Sequence, residues 1–267
     1  MNIRSVKLAC FSPTGTSRAI NQAIGEGLEI DNVEVIDATQ LNSRQTALQA
    51  SNDELLVLAM PVYSGRLPVV AEKWLQTISL KNTPTVCVVV YGNREYDDAL
   101  LELQDIVKQR GGLPVACAAF IGEHSFSADN TPIAVARPDA NDLQQAKAFG
   151  HKVQGIMESF LPEVGIEVPV PGNRPYKELG IGAPVDFIDV SEVCTRCGIC
   201  ASVCPVEAIN KKTPSTYDMA NCIRCCACIK ACPEQARSMK EGVMMDVAKR
   251  LNSMCQERKE PVTFFPA

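Results

Sequence analysis

The sequence predicts an α/β protein: a doubly wound parallel sheet followed by a small C-terminal α+β domain. Two observations support this prediction. Over the first part of the chain, short apolar runs rich in β-branched residues alternate with amphipathic stretches of helical length, which is typical of a parallel sheet covered by helices on both faces. Near the C-terminus, two cysteine runs of identical spacing replace this pattern. A chain of 267 residues is long enough for both units.

Five strands are predicted, and most of their connections are helical. The predicted strands are residues 6–11, 33–36, 55–60, 85–91 and 115–121. The predicted helices are residues 17–28, 69–78, 97–109 and 142–160. The link between residues 36 and 55 shows no clear pattern. Because apolar strands joined by helices form parallel sheets with right-handed crossovers, this order favours a doubly wound sheet.

The loop after the first strand, residues 11–18, is rich in hydroxyl groups and leads into a helix. Ligands of doubly wound sheets bind beyond the carboxyl ends of the strands. Hydroxyls, backbone N–H groups and a helix N-terminus together can hold a phosphate, but the same residues also suit an ordinary helix cap without a ligand. The loop has neither the GxxxxGK[ST] nor the GxGxxG pattern, which argues against nucleoside triphosphate hydrolysis and an adenine-dinucleotide site.

Two further loops at strand ends, residues 61–68 and 91–97, each contain a glycine and at least one tyrosine. Glycine lets the backbone approach a flat ring, and tyrosine can stack on it. One tyrosine alone is more simply explained as a loop residue that covers the end of the sheet. Three such loops at one edge favour a ligand site.

The two cysteine runs have the spacing C-x2-C-x2-C-x3-C-P, which is that of bacterial two-cluster ferredoxins. In this spacing three thiolates bind one [4Fe–4S] cluster and the fourth binds the other cluster. The predicted metal ligands are therefore Cys194, Cys197, Cys200 and Cys232 for one cluster, and Cys222, Cys225, Cys228 and Cys204 for the other. Two alternatives are disfavoured. A zinc ribbon needs only paired CxxC motifs and does not explain the third CxxC step. Disulfides need an oxidising compartment, and nothing in the sequence indicates export.

The two runs form an internal repeat with an offset of 28 residues, 222 minus 194. Since each run gives one ligand to the other cluster, cluster assembly should be coupled to folding. Among the remaining cysteines, Cys10, Cys87 and Cys117 are predicted as small buried hydrophobes in strands. Cys255 is expected in a C-terminal helix. Cys226 is either a spare ligand or a residue packed on the second cluster, with packing favoured.

The composition limits the classes of function. The formal charge of −5 argues against a nucleic-acid binder, which would normally show a basic face. No apolar run is long enough for a transmembrane helix, and the first residues lack the apolar core of a signal peptide. Thirteen cysteines, eight of them assigned to clusters, fit a reducing compartment. We therefore expect a cytoplasmic protein that binds neither nucleic acid nor membranes.

The predicted domains are residues 1–160, a connector at 161–184, the cysteine-rich domain at 185–240 and a tail at 241–267. The connector is rich in Pro and Gly and predicts an extended segment. It is too apolar to be a free spacer, so we expect it to lie along the first domain. The tail is predicted as a helix over residues 241–260, and its apolar end should pack on its own chain or across a homodimer.

The motif Ser12-x-Thr14-Gly15-x-Ser17 resembles the phosphate loop of flavodoxins, and residues 61–68 and 91–97 resemble their two flavin-flanking loops. The whole chain resembles fused flavodoxin–ferredoxin proteins. This resemblance implies a sheet order of 2-1-3-4-5, FMN and two [4Fe–4S] clusters as cofactors, and an electron-transfer role. The implied FMN-binding residues are Ser12, Thr14, Gly15, Thr16, Ser17, Pro61, Val62, Tyr63, Ser64, Gly65, Arg66, Tyr91, Gly92, Asn93, Arg94, Tyr96, Asp97 and His124.

The roles of Arg66, Arg94 and His124 have alternative interpretations. Arg66 and Arg94 either stabilise an anionic reduced flavin or face solvent or pair with phosphate or Glu95. His124 either acts on the flavin, as a donor or proton carrier, or serves as a packed or capping residue, which is favoured. The single Trp74 is most simply a core residue.

The cofactors that the resemblance implies predict an electron-transfer protein that links one-electron and two-electron partners. The expected partners are soluble redox proteins, a ferredoxin or a ferredoxin-linked enzyme. The alternative is an FMN-dependent oxidoreductase that reduces a small substrate over the flavin with electrons from the clusters. Whether the chain is an enzyme is therefore open at this stage.

Overall fold

The computed structural model describes residues 3–159, 167–180 and 183–266 of the chain. The strands are β1 Ser5–Cys10, β2 Val33–Asp37, β3 Gln49–Ala50, β4 Glu54–Pro61, β5 Ser79–Leu80, β6 Thr83–Tyr91, β7 Gly112–Ile121, β8 Ile188–Val190, β9 Arg237–Met239 and β10 Val262–Phe264. The α-helices are α1 Thr16–Gly27, α2 Val69–Thr77, α3 Ala99–Gln109, α4 Ala140–Ser159, α5 Ile199–Ser202, α6 Ala227–Lys230 and α7 Val243–Met254. A 3-10 turn at Asn42–Gln45 lies in the link that showed no clear pattern.

The main sheet has the strand order β10-β7-β6-β4-β1-β2. Its five parallel strands, β1, β2, β4, β6 and β7, correspond to the five predicted strands and have the order 2-1-3-4-5. The predicted doubly wound fold is therefore confirmed. The sixth strand, β10, pairs antiparallel with β7 and comes from the C-terminal tail.

The core consists of two apolar layers, one on each face of the sheet. Alternate residues of β4 face opposite layers: Leu56 and Leu58 pack with α2 and α3, whereas Leu55 and Val57 pack with α1 and α4. Trp74 of α2 is only 2% exposed and belongs to the first layer, as predicted. Three cysteines are buried in strands of this sheet, which confirms their prediction as core residues: Cys10 in β1, Cys87 in β6 and Cys117 in β7.

The described part of the connector, residues 167–180, lies along α3. Gln104 donates from Nε2 to the Val168 carbonyl oxygen at 2.7 Å, and Asp98 accepts from the Asn173 backbone N–H at 2.8 Å. Arg174 pairs with a carboxylate of the same helix. These contacts hold the segment on the first domain. The connector residues 161–166 and 181–182 lie outside the described residues.

The C-terminal tail differs from its prediction. Helix α7 ends at Met254, so the predicted helix over residues 241–260 is wrong beyond that point, and Cys255 lies just after the helix. The following residues return to the first domain, where Asn93 donates to the Cys255 and Glu257 carbonyl oxygens at 3.1 and 2.8 Å. The tail then covers the edge of β7, which would otherwise present unpaired backbone groups. Of the two predicted alternatives for the tail, packing on its own chain is the one observed.

In the second domain, β8 and β9 form a two-stranded antiparallel sheet, and α5 and α6 are single turns. Its small core includes several of the cysteines. None of the helices in residues 3–159, 167–180 and 183–266 has the length and apolar character needed to cross a membrane.

Candidate functional site

The loops that follow β1, β4, β6 and β7 border a space of about 420 Å³ that is partly open to solvent, which we name the loop cavity. It lies at the carboxyl edge of the sheet, as expected for a doubly wound fold. Its lining residues are Ser12, Pro13, Thr14, Thr16, Ser17, Pro61, Val62, Tyr63, Val90, Tyr91, Gly92, Gly122, Glu123, His124 and Ser125. The cavity thus brings together residues from all three predicted loops.

One end of the loop cavity is suited to an anion. Gly15 adopts a left-handed conformation (φ 88°) that turns the chain into α1. Ser12 accepts a hydrogen bond from the Arg18 backbone N–H at 3.0 Å, so this serine supports the helix start. Ser17 is fully buried, and its Oγ has no hydrogen-bond partner among the described residues. An unsatisfied buried hydroxyl costs about 1–3 kcal/mol, and a phosphate at the helix N-terminus would satisfy it.

Two glycines let the loops approach each other. A Cβ atom on Gly92 would lie 2.3 Å from Cδ2 of His124, and one on Gly122 would lie 2.7 Å from Cβ of Thr16. A side chain at either position would therefore force the walls of the cavity apart. Gly92 was among the predicted residues.

Five of the lining residues were not among the predicted FMN-binding residues, namely Pro13, Val90, Gly122, Glu123 and Ser125. Three of them, Gly122, Glu123 and Ser125, directly follow a predicted strand. The rule that ligands lie beyond the carboxyl ends of strands was a sufficient signal for these three.

Several predicted residues do not line the loop cavity, namely Gly15, Ser64, Gly65, Arg66, Asn93, Arg94, Tyr96 and Asp97. Arg66 donates to both carboxylate oxygens of Glu102 at 2.8 Å, and Arg94 pairs with Asp97. The arginines therefore pair with carboxylates, but neither partner is the expected Glu95. Asn93, which is 3% exposed, holds the C-terminal tail instead. A role for these residues in holding a flavin ring stays a prediction.

His124 lies in the wall of the loop cavity with a defined hydrogen bond. Its Nδ1 accepts from the Phe126 backbone N–H at 3.0 Å, so the neutral ring carries its proton on Nε2. Burial, together with the nearby cations Lys230 and Arg94, lowers the pKa of His124 to about 4. The imidazole is therefore neutral at physiological pH and has the capping contact that the sequence favoured.

The cysteines of the second domain line two cavities of similar size. The first, which we name the outer cavity, encloses about 310 Å³ and contains Cys194, Cys197, Cys200 and Cys232. The second, the inner cavity, encloses about 350 Å³ and contains Cys204, Cys222, Cys225, Cys226 and Cys228. The crossed grouping is thus the one that the repeat predicts: the fourth cysteine of each run lies with the first three of the other run. Within the described ranges, no three His, Cys, Asp or Glu side chains are placed so that they could hold a single metal ion.

The backbone repeats with the sequence. We name residues 194–204 the first arm and residues 222–232 the second arm. Arg196 and Arg224 both have φ 58°, and the left-handed Gly198 corresponds to the left-handed Cys226. The fourth cysteine of each arm accepts a backbone hydrogen bond from the residue four positions later, at 3.3 Å in both arms. The Sγ atoms of Cys204 and Cys232 therefore each accept one backbone hydrogen bond at the same position of the repeat.

The two groups of cysteines differ in exposure. Cys197 in the outer cavity is exposed, whereas Cys225 and Cys228 in the inner cavity are 8% exposed. Burial raises the pKa of Cys225 to about 12 and that of Cys228 to about 11. These thiols therefore keep their protons without a metal, and cluster binding would release them. Cys226, which is 3% exposed, packs in the same core.

The inner cavity faces the first domain. Tyr63 belongs to a tight turn whose central residues, Ser64 and Gly65, both have the positive φ that a type I′ turn requires. Burial raises the pKa of Tyr63 well above its usual value, and the neighbouring Cys225 and Cys226 raise it further. Tyr63 lines the loop cavity and is close enough to these cysteines for their charges to act on it.

Four further contacts fix this junction. Ile223 of the second arm packs against the core of the first domain as well as its own. Lys230 donates to Glu123 at 2.5 Å and to the Ser127 carbonyl oxygen at 2.7 Å. Arg44 donates to the Pro205 carbonyl oxygen at 2.7 Å.

Residues 187–256 match the family of 4Fe-4S dicluster domains. Among solved structures, the chain is similar to an archaeal flavodoxin, with 16% identity over 58% of this chain and 99% of that chain and a TM-score of 0.40. It is also similar to flavodoxin 2 of Bacillus cereus, with 16% identity over 58% and 99% of the chains and a TM-score of 0.40. Rubredoxin oxygen:oxidoreductase of Desulfovibrio gigas is 10% identical over 59% of this chain and 37% of that chain, with a TM-score of 0.41. No curated protein matches the chain.

Because these structural similarities are weak, the strand order of the sheet is what identifies the first fold. The second fold is identified by the family match and by the grouping of the cysteines. The chain is therefore a fusion of a flavodoxin-like domain and a 4Fe-4S dicluster domain.

Proposed function

We propose that this protein transfers electrons between FMN held in the loop cavity and two [4Fe–4S] clusters held in the inner and outer cavities. The observation that carries the proposal is the junction between the two cavities: Ile223 lines the inner cavity and packs on the core of the first domain, and Lys230 of the second arm pairs with Glu123, which lines the loop cavity. FMN exchanges electrons singly or in pairs and each cluster exchanges one, so the fusion would link one-electron and two-electron partners.

The residues of the loop cavity support FMN as its ligand. Ser17 provides a buried hydroxyl, unpartnered within the described ranges, at the N-terminus of α1, where a phosphate binds well. Tyr63 and Tyr91 provide ring surfaces in the neighbouring loops. The neutral His124 provides an Nε2 donor in the cavity wall.

The cysteine geometry supports crossed cluster ligation. Cys194, Cys197, Cys200 and Cys232 would hold one cluster in the outer cavity. Cys222, Cys225, Cys228 and Cys204 would hold the other in the inner cavity. Since the inner cavity faces the loop cavity and Cys197 is exposed, the order of electron transfer would be external partner, outer cluster, inner cluster and FMN, or the reverse.

The test uses the full chain, purified without oxygen. Acid release should give FMN, and analysis should give about eight iron atoms per chain, four for each cluster. In stopped-flow experiments with a reduced ferredoxin as donor, the flavin of the wild-type protein should be reduced rapidly. In Cys225→Ala, which removes an inner ligand, this reaction should slow at least about tenfold because the relay is interrupted. Reduction of the flavin by dithionite should be unchanged.

Cys226→Gly is the matched control, since it removes a neighbouring thiol that we do not assign as a ligand. Equal rates of flavin reduction by ferredoxin in Cys225→Ala and the wild-type protein would show that the clusters are not the relay. Rapid reduction of the flavin by NAD(P)H would replace the carrier role with that of a nicotinamide-dependent enzyme. Release of FAD, or of no flavin, would contradict the assigned cofactor.

A further inference from the structure

Arg237, the first residue of β9, is a buried cation that none of the contacts described so far explains. Its side chain is only 3% exposed. Nη1 donates to the Pro214 carbonyl oxygen at 2.7 Å, but Nε and Nη2 have no hydrogen-bond partner within the described part of the chain. No carboxylate in that part pairs with it. A buried guanidinium with two unsatisfied nitrogens is unfavourable unless another group receives its hydrogen bonds.

The position of Arg237 indicates what that group is. Its side chain lines the outer cavity, and Nη1 lies 3.6 Å from the Sγ of Cys200. Its charge also acts on Cys222 and Cys228, which line the inner cavity. The guanidinium therefore lies between the two sets of cysteines.

The internal repeat gives this residue no counterpart. The position 28 residues earlier is Ile209, which is buried in the core of the same domain. A domain of this topology therefore accepts an apolar residue at the equivalent position of its other half. The cation in the second half is an addition to the repeat, not a requirement of its backbone.

We propose that Arg237 is a shared hydrogen-bond donor and counter-charge for both clusters and raises both of their reduction potentials. This inference rests on the crossed ligand sets of the proposed function. When a cluster is reduced it gains one electron from the external donor and one negative charge. A nearby buried cation stabilises that reduced state more than the oxidised one, and hydrogen bonds to the sulfur atoms act in the same direction.

The test compares Arg237→Ile, which installs the residue of the other half, with Arg237→Lys and with Lys211→Gln, which removes an exposed charge from the same domain. Each protein is analysed for iron and then titrated with a reductant while its cluster signal is followed by electron paramagnetic resonance. In Arg237→Ile the whole signal should move to lower potential. At a fixed potential, the ratio of reduced to oxidised cluster should fall about tenfold, or about 59 mV for a one-electron couple.

Arg237→Lys should move the signal less, and Lys211→Gln should leave it in place. An Arg237→Ile protein with full iron content and half or more of its signal at the wild-type potential would overturn the proposal. If wild-type protein itself lacks two clusters, the proposed function fails instead, so the two failures are distinguishable.

A second measurement does not depend on the folding of any variant. Wild-type protein is labelled with 15N in the guanidino group of arginine and reduced, and pulsed electron paramagnetic resonance detects nitrogen atoms near the clusters. A nitrogen coupling that changes with the label is expected, because Arg237 lies beside Cys200. A spectrum that the label does not change would overturn the proposal.

Discussion

The two arms of the dicluster domain have the same ligand spacing but different surroundings. The first arm has Gly198 at its left-handed position and an exposed cysteine, Cys197. The second arm has Cys226 at the equivalent position and is packed against the first domain through Ile223. The comparison shows that a repeat can fix the positions of the cysteines while contacts with the neighbouring domain set the exposure of each group. In the proposed relay, this difference makes one cluster the contact to outside partners and the other the contact to the flavin.

The largest expected effect comes from replacing the fourth cysteine of either arm by serine. Cys204 belongs to the first arm in sequence but lines the inner cavity of the second. Cys204→Ser should therefore remove the inner cluster and about half of the iron, four of about eight atoms. Cys232→Ser should remove the outer cluster instead. Iron analysis measures the loss, and electron paramagnetic resonance identifies which cluster each variant retains. Loss of the cluster bound to Cys194 in Cys204→Ser would contradict the crossed assignment.

A smaller effect is expected at the end of the loop cavity formed by the N-terminus of α1. Ser17→Ala removes a hydroxyl that has no partner in the part of the chain that the structure describes, so the apoprotein should unfold with an equal or larger free energy. The same change should weaken FMN binding by about 1.5–3 kcal/mol, since it removes a hydrogen bond to a charged group. Fluorescence titration measures the affinity, and chemical denaturation measures the stability.

Thr77→Ala is the control for this change, because its hydroxyl binds the Trp74 carbonyl oxygen away from the cavity. It should leave the affinity for FMN unchanged. If Ser17→Ala bound FMN as tightly as the wild-type protein, the phosphate would have to be placed elsewhere.

The next prediction concerns the electrostatic effect of the second arm on the loop cavity. Lys230 lies two residues after Cys228 and is one of the two cations that, together with burial, lower the pKa of His124 to about 4. Lys230→Met should raise the pKa of His124 part of the way back towards its ordinary value of 6.5. The protonated form, present only below the pKa, would then appear at a higher pH. Titration of 15N-labelled histidine by NMR measures this shift, with His151→Gln used to assign the two signals.

Lys211→Met is the matched control, because this lysine is exposed on the second domain. It should leave the pKa of His124 unchanged. A His124 pKa that does not move in Lys230→Met would mean that burial and Arg94 keep the ring neutral and that Lys230 has no electrostatic effect on the cavity.

The parts of this structure that could be predicted from the sequence depend on local spacing. The cysteine grouping follows from intervals of a few residues, and the parallel strands follow from short apolar runs. The contacts that could not be predicted join distant parts of the chain. Strand β10 pairs with β7 across more than a hundred residues, and its sequence carries no sign of that partner. In the sequence alone, Arg237 looks like a surface cation. Only the fold shows that it is buried between two cavities.

The loops beside the predicted flavin ring show the same limit. The sequence placed Arg66 and Arg94 near the site, but their charges are balanced by Glu102 and Asp97. Glu102 lies on α3, and its side chain reaches the loop only because of the tertiary packing. Proximity in sequence therefore predicted the location of these charges but not their electrostatic effect.

The smallest expected effect distinguishes the two interpretations of Cys226. This residue has φ 55°, a left-handed conformation that costs a non-glycine residue about 1–2 kcal/mol, and the first arm has glycine at the same position. Cys226→Gly relieves that strain but also removes a buried side chain that packs beside Cys228. The two effects are of similar size and opposite sign, so the free energy of unfolding should change by less than about 1 kcal/mol. If Cys226 only packs, iron content and the electron paramagnetic resonance spectrum should match the wild-type protein. Loss of iron, or a changed spectrum of the inner cluster, would instead identify Cys226 as a ligand and make the two arms chemically different.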